Sequence, residues 1–352
     1  MKHIRYLAVF ICFALLASGW SSSTHAQDPS VTVSVFATEL VNPRGLKFGP
    51  DGYLYVAEAG SPTGTLTEAP AGLGGNCSAG AGGPGNYFGS TTGSRILRID
   101  ANGNVTTFVD NLPSDEVAGL ASGVADVACI GNTMYAILAG AGCSHGVPSI
   151  PNGIIRINPD HSWTMIADLS AYLQTHPVAH PTDPITGDFE PDGTWYSMIA
   201  VRGALYAIEP NHGEMDKITP EGNITRVIDI SASQGHVVPT VVGDHGVFYV
   251  SNLGQFDPDQ LNTQDVFHIT PSGQLKVVAT GLSKVLGLAF DGRVRLYSDT
   301  AQRPTAGPDR QHARRSLFFP TGLTFGPDGS LYISNHGFGP PGGEILKVEI
   351  KD

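Results

Sequence analysis

Eight polar side chains sit just past or just before short apolar runs, and their types set the chemistry open to this chain: Arg44, Glu58, Glu209, His212, Asn252, Asp299, Asn335 and His336. Glu58, Asn252 and Asp299, with Glu209 beside them, are hard oxygen donors of the kind Ca²⁺ prefers. A divalent ion held there would polarise a carbonyl and lower the pKa of an attacking water. Without an ion, the same carboxylates, amides and imidazoles make a polar pocket for a small molecule or a protein segment. Gly140 with Cys143 and His145, and Asn211 beside His212, occupy comparable positions.

Other patterns carry less. His176 and His180 stand at i and i+4, but Pro177 forbids the regular helix that would align them as zinc ligands. Asp257, Asp259 and Asp265 lack the sharp-turn Gly and terminal Glu of a calcium loop. There is no Gly-x-Ser-x-Gly elbow, and the glycines of residues 74–85 lack a phosphate loop's Lys-Ser/Thr pair. Cys143-Ser144-His145 places a thiol near an imidazole, yet neighbours on an extended chain point apart.

The elements that must position these residues are written as a repeat. Gly45-Leu46-Lys47-Phe48-Gly49-Pro50-Asp51-Gly52-Tyr53-Leu54-Tyr55-Val56 returns as Gly322-Leu323-Thr324-Phe325-Gly326-Pro327-Asp328-Gly329-Ser330-Leu331-Tyr332-Ile333. Each copy is a β-hairpin in which Pro presets a negative φ and Gly supplies the positive φ that closes the turn. Similar pairs occupy residues 124–138, 197–208, 239–251 and 287–298. Outer strand pairs follow several of them, with turns such as Asn158-Pro159-Asp160 and Thr270-Pro271-Ser272-Gly273.

Six such hairpins predict a six-bladed, all-β propeller of four-stranded blades around one axis. Residues 32–41 form a lone strand, and residues 344–348 lack an outer partner. Pairing the two would close the last blade and cover two open edges. Too few residues lie between Ser298 and Pro320 for two further strands, so the fifth blade reads as truncated. The Pro-rich stretch 169–196 reads as an excursion from the second blade. In such a ring, loops past the second strands and before the first strands gather at one mouth, which brings the eight residues together.

Residues 1–26 read as a signal peptide: Lys2 and Arg5, an apolar run, then Thr24-His25-Ala26. The expectation is an exported protein, periplasmic or extracellular, with residues 27–352 forming one domain and no membrane insertion after cleavage. Losing Lys2 and Arg5 moves the net charge from −12 to −14. No Lys/Arg cluster offsets it, which argues against nucleic acid or anionic membrane as partners. Gly 44, Pro 25 and 41% hydrophobic residues fit a turn-rich β fold better than a disordered chain. Three cysteines survive cleavage. Cys129 lies in an apolar run, so a Cys77–Cys143 disulfide is the expected pair.

Asn42-Pro43-Arg44-Gly45-Leu46, residues 197–206, Glu209-Pro210-Asn211-His212-Gly213, residues 228–236 and Asn335-His336-Gly337-Phe338-Gly339 resemble exported bacterial propellers of the ScyD/ScyE type, named for the gene cluster of a cyanobacterial sunscreen pigment. The resemblance spans nearly all of residues 27–352 and is more distant to NHL-repeat and gluconolactonase-like propellers. It implies a bacterial exported propeller and no fixed catalytic chemistry. The function expected is a ligand-binding or scaffold module in pigment-type secondary metabolism. Because gluconolactonase-like propellers use a Glu/Asn/Asp metal site, the alternative is a metal-dependent lactonase or esterase working at the mouth.

Overall fold

The computed structural model describes residues 30–69, 77, 85–183, 185, 187, 189–235, 237–254, 263–291, 296–298, 317–339 and 342–351. The signal segment 1–26, Asp299, and the tract 299–316 that contains the expected truncation lie outside them. Valine alternating with polar residues makes β1 (Ser30–Leu40) a single strand. The first blade follows. Its β2 (Pro43–Phe48) turns into β3 (Leu54–Glu58) through Gly52, whose φ of 83° suits glycine. The repeat's Asp and Tyr complete the turn: the Tyr55 hydroxyl donates to Asp51 at 2.8 Å, and that of Tyr332 to Asp328 at 3.1 Å. β4 (Thr67–Glu68), β5 (Phe88–Ile99), β6 (Val105–Val117) and β7 (Leu120–Ser122) complete this sheet.

The second blade is β8 (Val124–Ile130), β9 (Thr133–Leu138), β10 (Gly153–Ile157) and β11 (Trp163–Asp168). After it α1 (Leu169–Thr175) is capped by Asp168, which accepts from Ala171 N at 2.9 Å. The third blade is β12 (Ser197–Val201), β13 (Ala204–Glu209), β14 (Glu214–Ile218) and β15 (Ile224–Asp229), followed by the short α2 (Ser231–Gln234). The fourth is β16 (Pro239–Asp244), β17 (Phe248–Asn252), β18 (Gln264–Ile269) and β19 (Leu275–Leu282). A two-stranded hairpin, β20 (Leu288–Phe290) and β21 (Leu296–Ser298), comes next. The last blade has the order β1, β24 (Gly343–Lys351), β23 (Leu331–Asn335), β22 (Gly322–Phe325). Among the described residues the protein therefore has five blades, which corrects the six expected from the sequence. At the place of the remaining hairpin only β20 and β21 pair.

Among the described residues, six layers of apolar side chains lie between neighbouring sheets, because a blade is apolar on both faces. Leu46, Val56 and Leu97 of the first blade pack with Tyr332 and Ile345 of the last. Ala57 and Ile96 meet Val127 and Ala136, and Ile137 meets Met198 and Leu205. Polar latches cross the same junctions. Asp126 of the second blade accepts from Met198 N of the third at 2.9 Å and from its own neighbour Val127 N at 2.9 Å. Thr240 Oγ1 donates to Val285 O at 2.8 Å, and Thr321 Oγ1 to Pro43 O at 2.6 Å. The disulfide is Cys77–Cys143, as expected, and Cys129 is a half-buried free thiol in β8.

Asp126 is the most heavily used latch, and its carboxyl is pushed up by burial. Replacing it with alanine strands the Met198 and Val127 amides inside the ring. We expect Asp126→Ala to cost about 2–3 kcal/mol in urea unfolding with an unchanged slope; a loss within error of zero would show that the latch is idle.

Candidate functional site

The polar residues that end second strands are held by different partners. Glu58 is gripped by Arg95, with Nε at 3.1 Å and Nη2 at 2.8 Å, while burial pushes its carboxyl up against that pull. Glu209 accepts from Thr194 N at 2.9 Å and from His212 N, and burial lifts it to about 8. Asn252 Oδ1 accepts from Gly254 N at 2.7 Å. Asn335 Oδ1 accepts from Phe318 N at 2.8 Å, and its Nδ2 donates to Glu344 at 3.0 Å. Of the residues expected as calcium ligands, Glu58 has Oε1 held by Arg95 and Oε2 without a hydrogen-bond partner among the described atoms, Asn252 has Oδ1 turned to Gly254 N, and Asp299 lies outside the described residues. No group of three His, Cys, Asp or Glu side chains among the described residues is arranged for a metal ion.

A different set does converge. The imidazole of His145 is fully buried, its Nε2 lying 3.3 Å from Glu190 Oε2 and 3.8 Å from Asp115 Oδ2. Asn152 Nδ2 lies 3.5 Å from its Nδ1, and Tyr87 meets the ring edge-on with centroids 5.1 Å apart. Tyr87 also donates its hydroxyl to Glu190 Oε1 at 2.7 Å, and Asn211 Nδ2 reaches Oε2 at 3.4 Å. Asp192 accepts from Ser144 N at 3.1 Å. These groups come from three blades: Asp115 from β6, His145 from a three-residue 3-10 turn between β9 and β10, Glu190 and Asp192 from the segment leading to β12.

Burial alone would push the His145 imidazole down. The attraction of Glu190, then Asp115 and Asp192, overcomes it and holds the ring up at about 10, so His145 is an imidazolium at neutral pH. Asp115 is lifted by burial to about 7, with His145 pulling the other way. Burial also raises Asp192. His212 is pushed down by burial, and its Nε2 lies 3.2 Å from Glu190 O.

Arg44, at the entry of β2, joins this cluster from the ring's axis. Its guanidinium donates through Nη2 to Ala121 O, beside Ser122, whose amide donates to Asp115 at 3.3 Å. The Phe338 ring covers it, with Cζ 3.4 Å from the ring centre. Burial lowers Arg44 to about 10 against the pull of Tyr196 and Asp115. Nη1 has no hydrogen-bond partner among the described atoms. The Tyr196 hydroxyl reaches Thr321 O at 3.4 Å, linking the entries of the third and last blades. His336 packs on Phe318 nearby, with centroids 5.1 Å apart.

Of the residues singled out from sequence, His145 and Asn211 belong to this cluster and Arg44, Glu209 and His212 border it; Glu58 and Asn252 pair elsewhere, and Asp299 lies outside the described residues. Sequence reasoning missed Asp115, Glu190, Asp192, Tyr87 and Asn152. The one available signal was Glu190-Pro191-Asp192-Gly193, two carboxylates about a proline. His176 stacks on Tyr172 on an exposed surface, with ring centroids 4.1 Å apart.

No protein-family model and no characterised sequence relative matches the chain. Solved structures do match in fold. A structural-genomics protein of unknown function from Bacteroides thetaiotaomicron aligns over 92% of this chain and 77% of its own, at 11% identity and TM-score 0.57. The soluble aldose sugar dehydrogenase of Escherichia coli, in its apo form, aligns over 91% and 99%, at 13% identity and TM-score 0.53. A gluconolactonase of Xanthomonas campestris aligns over 91% and 90%, at 11% identity and TM-score 0.50. At these identities the likeness is one of β-propeller architecture.

The raised carboxyls fix a pH dependence. The folded protein keeps protons on Glu209 and Asp115 that the unfolded chain releases, so stability falls as pH rises from the ordinary carboxylate range through about 8 and about 7. His145 acts in the same direction: it lends stability below the ordinary value of 6.5, lost as pH climbs through about 10. Urea midpoints should decline between about pH 5 and about pH 8, less steeply in Glu209→Gln. Parallel slopes in the two proteins would contradict the assignment.

Proposed function

We propose that this propeller is an exported binding module that takes a small organic molecule at the mouth bordered by Arg44, Tyr196 and Phe338. The observation that carries the reading is Arg44 itself. A guanidinium buried at the ring entry, stacked on an aromatic ring, held by Ala121 O and by Tyr196, and with Nη1 lacking a close acceptor among the described atoms, carries a desolvation cost of roughly 1–3 kcal/mol in the free protein. A ligand oxygen accepting from Nη1 offsets it, and the forked geometry favours a carboxylate or carbonyl. The His145 cluster behind Arg44 keeps Asp115 beside the guanidinium and so orients it.

Export is supported by residues 1–26 and by the disulfide, a bond that persists in oxidising compartments. No described helix is long and apolar enough to cross a membrane. A place in pigment-type metabolism rests on the sequence resemblance. The lactonase alternative calls for Glu58, Asn252 and Asp299 to share a cation; with Glu58 committed to Arg95, binding is the better-supported reading.

Acetate, gluconate and benzoate serve as probes in calorimetric titration of the purified protein. At least one should bind saturably, and Arg44→Lys, which keeps the charge but loses the fork, should weaken it by about tenfold or more. Absence of saturable binding by all three, or equal binding by Arg44→Lys, would defeat the proposal.

A further inference from the structure

His145 owes its position to a very short piece of chain. Cys143–His145 make one 3-10 turn, entered through Gly142 at φ 86° and left through Gly146 at φ 74°. Gly142 N donates to Ile150 O at 2.7 Å, and Val147 N to Gly142 O at 2.8 Å, which closes a small loop between β9 and β10. The first blade presses on it from outside. A Cβ on Gly89 would stand 2.0 Å from His145 O, and one on Gly146 would stand 2.1 Å from Thr67 O. Three residues with positive-φ glycines at both ends have little local stability of their own. Yet this turn must drive an imidazolium into a space shared with Asp115, Glu190 and Asp192. Burying a charge costs several kcal/mol unless its partners are held in place.

One covalent bond acts on the turn from outside the second blade, and it ends two residues from the imidazole: Cys143 is joined to Cys77 across 66 residues of sequence. Both cysteines are half-buried, within reach of a reductant, whereas Ser144 and His145 are buried. The bond ties the turn to the first blade, which also supplies Tyr87 and Asp115 to the same ring.

We propose that the Cys77–Cys143 disulfide is a redox lock on the His145 ion cluster, holding the turn that inserts the imidazole between Asp115 and Glu190. A dithiol opens it by ordinary exchange: one thiolate attacks a sulfur of the bond and displaces the other cysteine as thiolate, and the second thiol then resolves the mixed disulfide. Two electrons pass to the protein, Cys77 and Cys143 become thiols, and the reductant leaves as its own disulfide. Opening frees the turn and withdraws the imidazole from between Asp115 and Glu190. The lock does not depend on whether Arg44 takes a ligand.

A cross-link that served only to restrict the unfolded chain would, when cut, lower protection throughout the molecule. A lock releases one place. Amide exchange is followed in the wild-type protein before reduction, after dithiothreitol, and after reoxidation. Amides of Cys143 to Val147 should exchange about tenfold faster or more on reduction, while Ile154 to Ile157 of β10 stay within about twofold, and reoxidation should restore both. Over the same steps the His145 ring signals should move at neutral pH from the imidazolium to the neutral position, assigned with His145→Gln. Cys77→Ser should show the reduced pattern without reductant; if that variant does not fold, the reduction and reoxidation cycle of the wild type still decides. Equal acceleration in turn and β10, global unfolding, or no change at the turn would each overturn the proposal.

Discussion

A propeller blade with two apolar faces is stable only between two neighbours, so the circle has to close, and here the first strand makes the last contact. β1 runs antiparallel to β24 from Ser30 opposite Lys351 to Leu40 opposite Gly343. Phe36 of β1 meets Tyr332 edge-on at 5.0 Å, and Phe48 of the first blade meets the same ring at 5.1 Å. One tyrosine thus joins the two ends of the chain. The closure has a consequence at the mouth, because Arg44 lies four residues beyond the end of β1. Thr321 holds Pro43 O, and Ser334 Oγ donates to Arg44 O at 2.6 Å. The backbone that carries the guanidinium is therefore set by the seam.

The hairpin β20–β21 shows which part of a blade the circle needs. Its inner strand is flanked by the inner strands of the fourth and last blades. Val285 and Leu288 enter the apolar layer on one side with Val241 and Tyr249, and Ala289 enters the other with Leu323 and Ile333. Both neighbours are covered by two strands. Among the described residues, β20 thus supplies the inner strand that both neighbouring blades pack against.

The fold was legible because its signals are local. Gly-Pro-Asp-Gly turns, alternating valines and the recurring Leu-Tyr pairs each report on a few residues, and the disulfide followed from two cysteines in comparable loops. Six blades were counted, the fifth of them truncated, where the described residues hold five and the β20–β21 hairpin; a hairpin signal shows two strands and says nothing of a further pair. The site was less legible. Glu58, Glu209, Asn252 and Asn335 hold equivalent places in the repeat, and equivalence suggested convergence. The backbone already uses three of these side chains: Glu209 and Asn335 accept from Thr194 N and Phe318 N in the segments that lead into the first strands of their blades, and Asn252 accepts from Gly254 N of its own loop. Asp115, on β6, and Glu190 and Asp192, in the segment before β12, carried no such marker, because a carboxylate looks solvated in sequence until the fold brings a cation to it from tens of residues away.

A buried ion cluster seldom adds stability over apolar packing of the same volume. What it supplies around His145 is direction. The loops meeting there differ widely in length and belong to three blades whose sheets are already fixed by their apolar layers. Apolar side chains would fill the space in many ways, since dispersion has no preferred angle. An imidazolium flanked by Glu190 and Asp115, with Tyr87 and Asn211 consuming the remaining oxygens of Glu190, has far fewer satisfactory arrangements. Buried carboxylates elsewhere in the ring are held by other means: Glu209 and Asp126 by backbone amides, Glu58 by Arg95. Removing either His145 or Arg44 would leave Asp115, already lifted to about 7, to take up a proton in its place.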